Sequence, residues 1–152
     1  MKSKVYYSDM RLNSAADTLP NKLARLVKAA GIEKIDFKDK FVAIKIHFGE
    51  TGNMAYLRPQ YAAVIVDIVK KLGGKPFLTD CNTLYPGFRK NALEHLVAAE
   101  KNGFTSYITG CNVIIGDGLK GTDDFPVPVV GGEYVKEAKI GRAIVDADII
   151  IS

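Results

Sequence analysis

The sequence predicts an α/β fold: three layers, with a mostly parallel sheet carrying helices on both faces. Three observations lead there. Apolar residues recur at helical spacing over 19–30 and 59–72, short β-rich runs stand at 41–48, 75–80 and 113–117, and the two kinds of segment alternate through short connections. At 152 residues the chain fits a single domain, 1–152, large enough to bury a core without disulfides.

The elements follow in order. Val5 to Tyr7 are β-branched and aromatic and predict a first short strand. Asp17-Thr18 before Pro20 mark a helix start. Leu19, Leu23, Leu26, Val27 and Ala30 then form one apolar stripe, ended by Gly31. Phe41 to Phe48 predict the second strand, with Val42, Ile44, Ile46 and Phe48 on one face and Phe41, Ala43, Lys45 and His47 on the other. From Pro59 to Leu72 runs a helix whose polar stripe is only Gln60, Asp67, Lys70 and Lys71, so most of its surface must be covered. Gly73-Gly74 stop it, and Lys75 to Asp80 form the third strand.

A helix is expected from Arg89 to Asn102, closed by Asn102-Gly103, with His95 on its solvated flank. Val113 to Asp117 predict a strand. The prolines of "FPVPVVGGEY" argue for an edge segment or connection. Ala138, Ile140, Ala143, Ile144 and Ala147 predict a short helix, and Asp148 to Ser152 a last strand. An all-isoleucine run belongs in the middle of a buried sheet, yet the chain stops just beyond it, so the sheet is expected to be incomplete at its C-terminus.

Composition narrows the functional classes. The hydrophobic fraction of 47% and charged fraction of 25% are those of a globular protein, not of a disordered one. A net charge of +4 is scattered without a Lys/Arg block longer than two, which argues against a nucleic-acid surface while favouring small anionic ligands. No apolar run approaches the roughly 18 residues of a membrane span, and no leader-like apolar stretch follows the N-terminus, so a cytoplasmic location without membrane contact is expected. Cys81 and Cys111 fit neither a C-x-x-C pair nor zinc spacing and are expected to be small core residues.

In open α/β sheets ligands bind beyond the carboxyl ends of the strands. Three predicted strands place a polar group there: His47, Asp80 and Asp117. With Lys45 they make the candidate catalytic group. Gly49, Glu50, Asn53, Arg58, Asn82 and Lys120 make the candidate ligand-binding group, and glycines 49, 52, 116, 118 and 121 would let backbone approach a ligand. A lysine inside a sheet strand must snorkel or pair. Lys45 is therefore expected to meet either Asp80 or Asp117, or a ligand carboxylate or phosphate. "GDGLKG" follows a strand without a clear helix after it, which gives a dinucleotide role little support. Neither a Walker-type phosphate loop nor a G-x-S-x-G nucleophile elbow occurs.

The segments "FVAIKIHFGETGNMAYLRP", "PFLTDCNTLYPGFRKNALEHLVAAEKNGF", "VIIGDGLKG" and "AKIGRAIVDADIIIS", in this order, resemble the N-terminal part of the domain of unknown function 362 family of uncharacterised iron–sulfur centre proteins. The resemblance implies a longer protein, with 4Fe-4S clusters in a C-terminal ferredoxin-like module. Two cysteines cannot supply the four thiolates of a cluster, so no cofactor is expected in these residues.

Together these readings imply a ligand- or substrate-binding α/β domain of an iron–sulfur redox protein, gripping a small anion with Lys45, His47 and Arg58 while Asp80 and Asp117 act as polar or proton-handling partners. Whether it is an enzyme stays open. One alternative is a metal-dependent enzyme using His47, Asp80 and Asp117. Another is a non-catalytic docking module for a ferredoxin domain or subunit, marked by an exposed apolar patch beside the last strand. An incomplete sheet edge would also admit a second copy of the chain as a homodimer.

Overall fold

The structure, a computed structural model, describes residues 3–12, 14 and 16–152. Helix α1 spans Leu19–Ala30, capped by the Thr18 hydroxyl accepting from the Asn21 amide and closed by Gly31 in the left-handed region. After a 3-10 turn at Ile32–Lys34 come β1, Phe41–Lys45; α2, Pro59–Lys71; β2, Lys75–Asp80; and α3, Ala92–Lys101. Then follow a one-turn helix α4, Ser106–Thr109; β3, Val113–Ile115; β4, Asp124–Pro128; β5, Glu137–Gly141; α5, Arg142–Val145; and β6, Ile149–Ile151.

The main sheet is parallel throughout, in the order β3-β2-β1-β6. Register puts Val42, Ile44, Leu78, Val113, Ile149 and Ile151 on one face. There they join Ala62, Ile65, Val66 and Val69 of α2, Ala99 of α3 and, from α1, Leu23 and Val27 in one core. The exposed residues of α2 are Gln60, Asp67, Lys70 and Lys71, the polar stripe read from the sequence. The connection from β3 back to β6 takes the opposite face, as a right-handed crossover requires. Its α5 side chain Ile144 is buried so close to Gly116 and the Thr79 hydroxyl that a Cβ on Gly116 would lie 3.1–3.2 Å from both. The result is a three-layer α/β domain.

Several expected elements differ. Val5 to Tyr7 form no strand; they are exposed, irregular chain, because β-propensity without a partner strand yields no ladder. The strand expected to reach Phe48 ends at Lys45, although the Ile46 amide still donates to the Thr79 carbonyl. The third helix begins at Ala92 instead of Arg89, because the Asn91 side chain caps it by accepting from the Glu94 amide. β3 stops two residues short of Asp117.

The proline-bearing segment pairs antiparallel with β5 as a separate two-stranded sheet. Ala138 and Ile140, expected in a helix, lie instead in β5, where a spacing of two residues fits a strand; only Arg142–Val145 is helical. β6, expected inside the sheet, pairs only with β1 among the described residues and stands at the sheet's edge. Short α4 and the 3-10 turn carry no periodic signal that a sequence reading could use.

Candidate functional site

The sheet order reverses at β1: the chain proceeds from β1 to β2 to β3 on one side and returns to β6 on the other. Such a reversal opens a crevice beyond the carboxyl ends of the two central strands. β1 ends there in Lys45, and His47 follows two residues later. His47 is exposed and its Nδ1 accepts from the Gly49 amide at 2.9 Å, which leaves Nε2 as the protonated, donating nitrogen of the neutral ring.

Below these two groups lies a buried ion network. The Lys45 Nζ donates to Asp80 Oδ1 at 2.9 Å, while the other Asp80 oxygen accepts from Arg89 Nη1 at 3.0 Å. The Arg89 side chain is 3% exposed and its Nε donates to Glu50 Oε1 at 2.6 Å. Tyr85 closes the circuit, its hydroxyl accepting from Arg89 Nη2 and donating to Glu50 Oε1 at 2.9 Å. Burial works against the Glu50 charge, but the hydrogen bonds from Arg89 and Tyr85 and the Arg89 charge outweigh it and hold the carboxyl below its usual range. Two cations and two carboxylates thus satisfy one another. Lys45 keeps a substantial part of its side chain, 42%, in solvent, with one of three ammonium protons committed to the described residues.

Asp117 serves a different purpose. Its carboxylate accepts from the Asn82 backbone amide at 3.0 Å and from Asn82 Nδ2 at 2.9 Å, and the same Nδ2 donates to the Gly118 carbonyl. This clamp ties the loop after β2 to the loop after β3. Cys81, between the two aspartates, is half-buried, and burial followed by the Asp117 and Asp80 charges raises its thiol above the ordinary range.

His95, expected on a solvated flank, is fully buried on α3 with its ring edge-on to Phe48 at 5.6 Å. Neither ring nitrogen has a hydrogen-bond partner. Burial is the main reason its pKa falls from 6.5 to about 4, opposed by the charges of Asp80, Asp117 and Glu50 and assisted by Arg89. The helical stripe placed this residue on the flank; α3 turns that flank onto Phe48 at the end of β1.

The structure gathers Lys45, Asp80 and Glu50 around Arg89, and Asn82 around Asp117, while other expected members lie apart. Asn53 makes a local turn, its side chain accepting from the Ala55 amide. Arg58 is exposed beside the Tyr56 ring, 4.9 Å from its centroid. Lys120 is exposed with no hydrogen bond to the described residues. Gly49, expected to admit a ligand, is buried at φ +81°, and a Cβ there would come within 2.7 Å of Asn102 and Tyr56; it serves packing of the loop. Arg89, the hub, escaped the sequence reading because a basic residue before a helix reads as surface. Its only signal was proximity to Asp80 and Tyr85.

Among the described residues no three His, Cys, Asp or Glu side chains converge as a metal site. Asp80 is committed to two cations and Asp117 to Asn82, so with His47 they do not form an open ligand set. "GDGLKG" has the glycine spacing of a dinucleotide loop, but β4 follows it where a helix N-terminus would have to receive the pyrophosphate. No helix among the described residues is long and apolar enough to cross a membrane.

The sequence model of the family described as a domain of unknown function, DUF362, matches residues 42–152. The chain belongs to that family. No curated protein and no solved structure matches it. The DUF362 match begins at the second residue of β1 and takes in the whole main sheet, the Arg89 network and the Asp117 clamp, leaving α1 and the preceding segment outside.

Proposed function

We propose that this DUF362 domain binds a small anionic ligand at the carboxyl end of β1. The observation that carries this reading is the pair of exposed donors two positions apart where the sheet order reverses: Lys45 Nζ, held in place by Asp80, and the Nε2 of His47, whose Nδ1 accepts from Gly49. A phosphate or carboxylate offers acceptors to both. Arg89 is not available to the ligand; it holds Asp80, and so Lys45, in position. Asp80 and Asp117 accordingly act as positioning groups. On this reading the binding step belongs to a cytoplasmic iron–sulfur redox protein whose clusters lie outside these residues, which the sequence resemblance supports; the two cysteines here, one half-buried and one buried, do not fit a cluster.

Titration with inorganic phosphate and with acetate, followed at the backbone amide resonances of residues 45–49, tests the reading. Saturable shifts are expected, with Lys45→Met and His47→Ala each weakening binding about tenfold or more. Absence of saturation with either anion, or unchanged affinity in both variants, removes it.

One observation favours a docking role alongside. Phe41, Ile114 and Ile150 lie on the sheet face opposite the core at 56%, 44% and 54% exposure, where parallel sheets are normally covered. A ferredoxin domain, another subunit or a second copy beside edge strand β6 would cover them. Concentration-dependent self-association abolished by Ile150→Lys would identify the second copy as the occupant.

A further inference from the structure

A cavity stands away from the carboxyl end of β1. It is about 350 Å³ in volume and opens between the segment Ser8–Met10, helix α1 and the start of α2. Its walls are Met10, Leu19, Leu23, Leu26, Leu57 and Tyr61. That volume is within the range of roughly 300–1,000 Å³ of small-molecule pockets, which are typically apolar with few polar groups.

The charges on its rim are already spoken for. Lys22 Nζ donates to Asp9 Oδ1 at 2.6 Å, to the Asp9 carbonyl at 3.0 Å and to the Arg11 carbonyl at 2.6 Å, with its side chain only 11% exposed. All three ammonium protons are used. The contacts strap the irregular segment 8–11 across α1 and form one wall of the cavity. Lys22 therefore offers nothing to an anion, and the Asp9 carboxylate, hydrogen-bonded to Lys22, offers little to a cation.

We infer that this cavity is a binding site for a neutral, predominantly apolar small molecule, held by the leucine walls and closed on one side by the Lys22 strap. Its chemistry is the opposite of that proposed for the β1 end, and it does not depend on that proposal. The tyrosine at position 56 borders the cavity and also packs against Gly49 and Phe104, so a side chain divides the two sites.

Fluorescence titration of the full chain with N-phenyl-1-naphthylamine, a neutral apolar probe, tests the inference. One saturable site per chain is expected, insensitive to added phosphate. Met10→Asp and Leu57→Asp alter side chains that are 70% and 63% exposed, so the fold tolerates them, and each should weaken probe binding at least tenfold. Leu84→Asp, at a fully exposed residue elsewhere, should leave the affinity unchanged. Unsaturable binding, an affinity unmoved by both cavity variants, or an equal loss in Leu84→Asp would each overturn the assignment, the last because the probe would then be reporting general apolar surface.

Discussion

The carboxyl end of the sheet holds two halves that answer to different physics. In the lower half, Asp80 and Arg89 are buried and Glu50 is partly so, and with the hydroxyl of the exposed Tyr85 they consume one another's hydrogen-bonding capacity. In the upper half, Lys45 and His47 are exposed, each tied to the protein by a single hydrogen bond that orients it without exhausting it. Charge by itself does not mark function here. The most buried charged residue of the region is a scaffold, and the hydrogen-bonding capacity left over sits in the exposed groups.

Substitutions should separate the halves. The largest effect is expected from Arg89→Met, which strands the Asp80 and Glu50 carboxylates in a poorly solvated site; loss of one partner from a buried ion pair destabilises by about 3–5 kcal/mol. Urea unfolding at pH 7 measures it, and a loss below about 1 kcal/mol would show that the network is dispensable.

His95 should contribute nearly as much, through pH. Its folded value of about 4 lies below the ordinary 6.5, so between those pH values the unfolded chain binds a proton that the folded protein refuses. Stability then rises with pH across that window and falls on acidification from 6.5 toward 4, by on the order of 3 kcal/mol. Glu50, with its lowered value, adds stability that is present above about 4.5 and lost as pH falls further. His95→Phe should flatten the profile above pH 4.5 while changing stability at pH 7 by less than about 1 kcal/mol, because no hydrogen bond of the ring is lost. Denaturant midpoints across pH 4–7 for both proteins check this.

Asp117→Ala should cost less, about 1–3 kcal/mol, by leaving the Asn82 backbone amide without its acceptor and the Asn82 side-chain amide with the Gly118 carbonyl alone. Lys45→Met should be the mildest, about 1 kcal/mol or below, since the lysine is partly exposed and Asp80 keeps Arg89 and the Cys81 amide.

The helices α1 and α2 and the strand β2 were legible because each writes its period and its stops in contiguous residues. Asp17-Thr18-Leu19-Pro20 and Gly31 bracket α1, and the four exposed residues of α2 are the polar stripe itself. The parallel order that brings Lys45 to Asp80 was legible from the alternation of strands and helices. Arg89 was not, because its burial depends on Glu50, thirty-nine positions earlier and reached only through the fold. His95 failed for a related reason: its helical face looks polar until Phe48 arrives from the end of β1. Val5 to Tyr7 show the converse, strand-forming residues with nothing to pair with among the described residues.

Thermal unfolding of the wild type and Lys45→Met, with and without inorganic phosphate, tests the central division between scaffold and donors most directly. Nearly equal midpoints are expected without phosphate and, at phosphate a hundredfold above the wild-type Kd, about 2.7 kcal/mol of added stability in the wild type, reduced to about 1.4 kcal/mol or less in the variant. Equal stabilisation of both proteins, or none in the wild type, would contradict it.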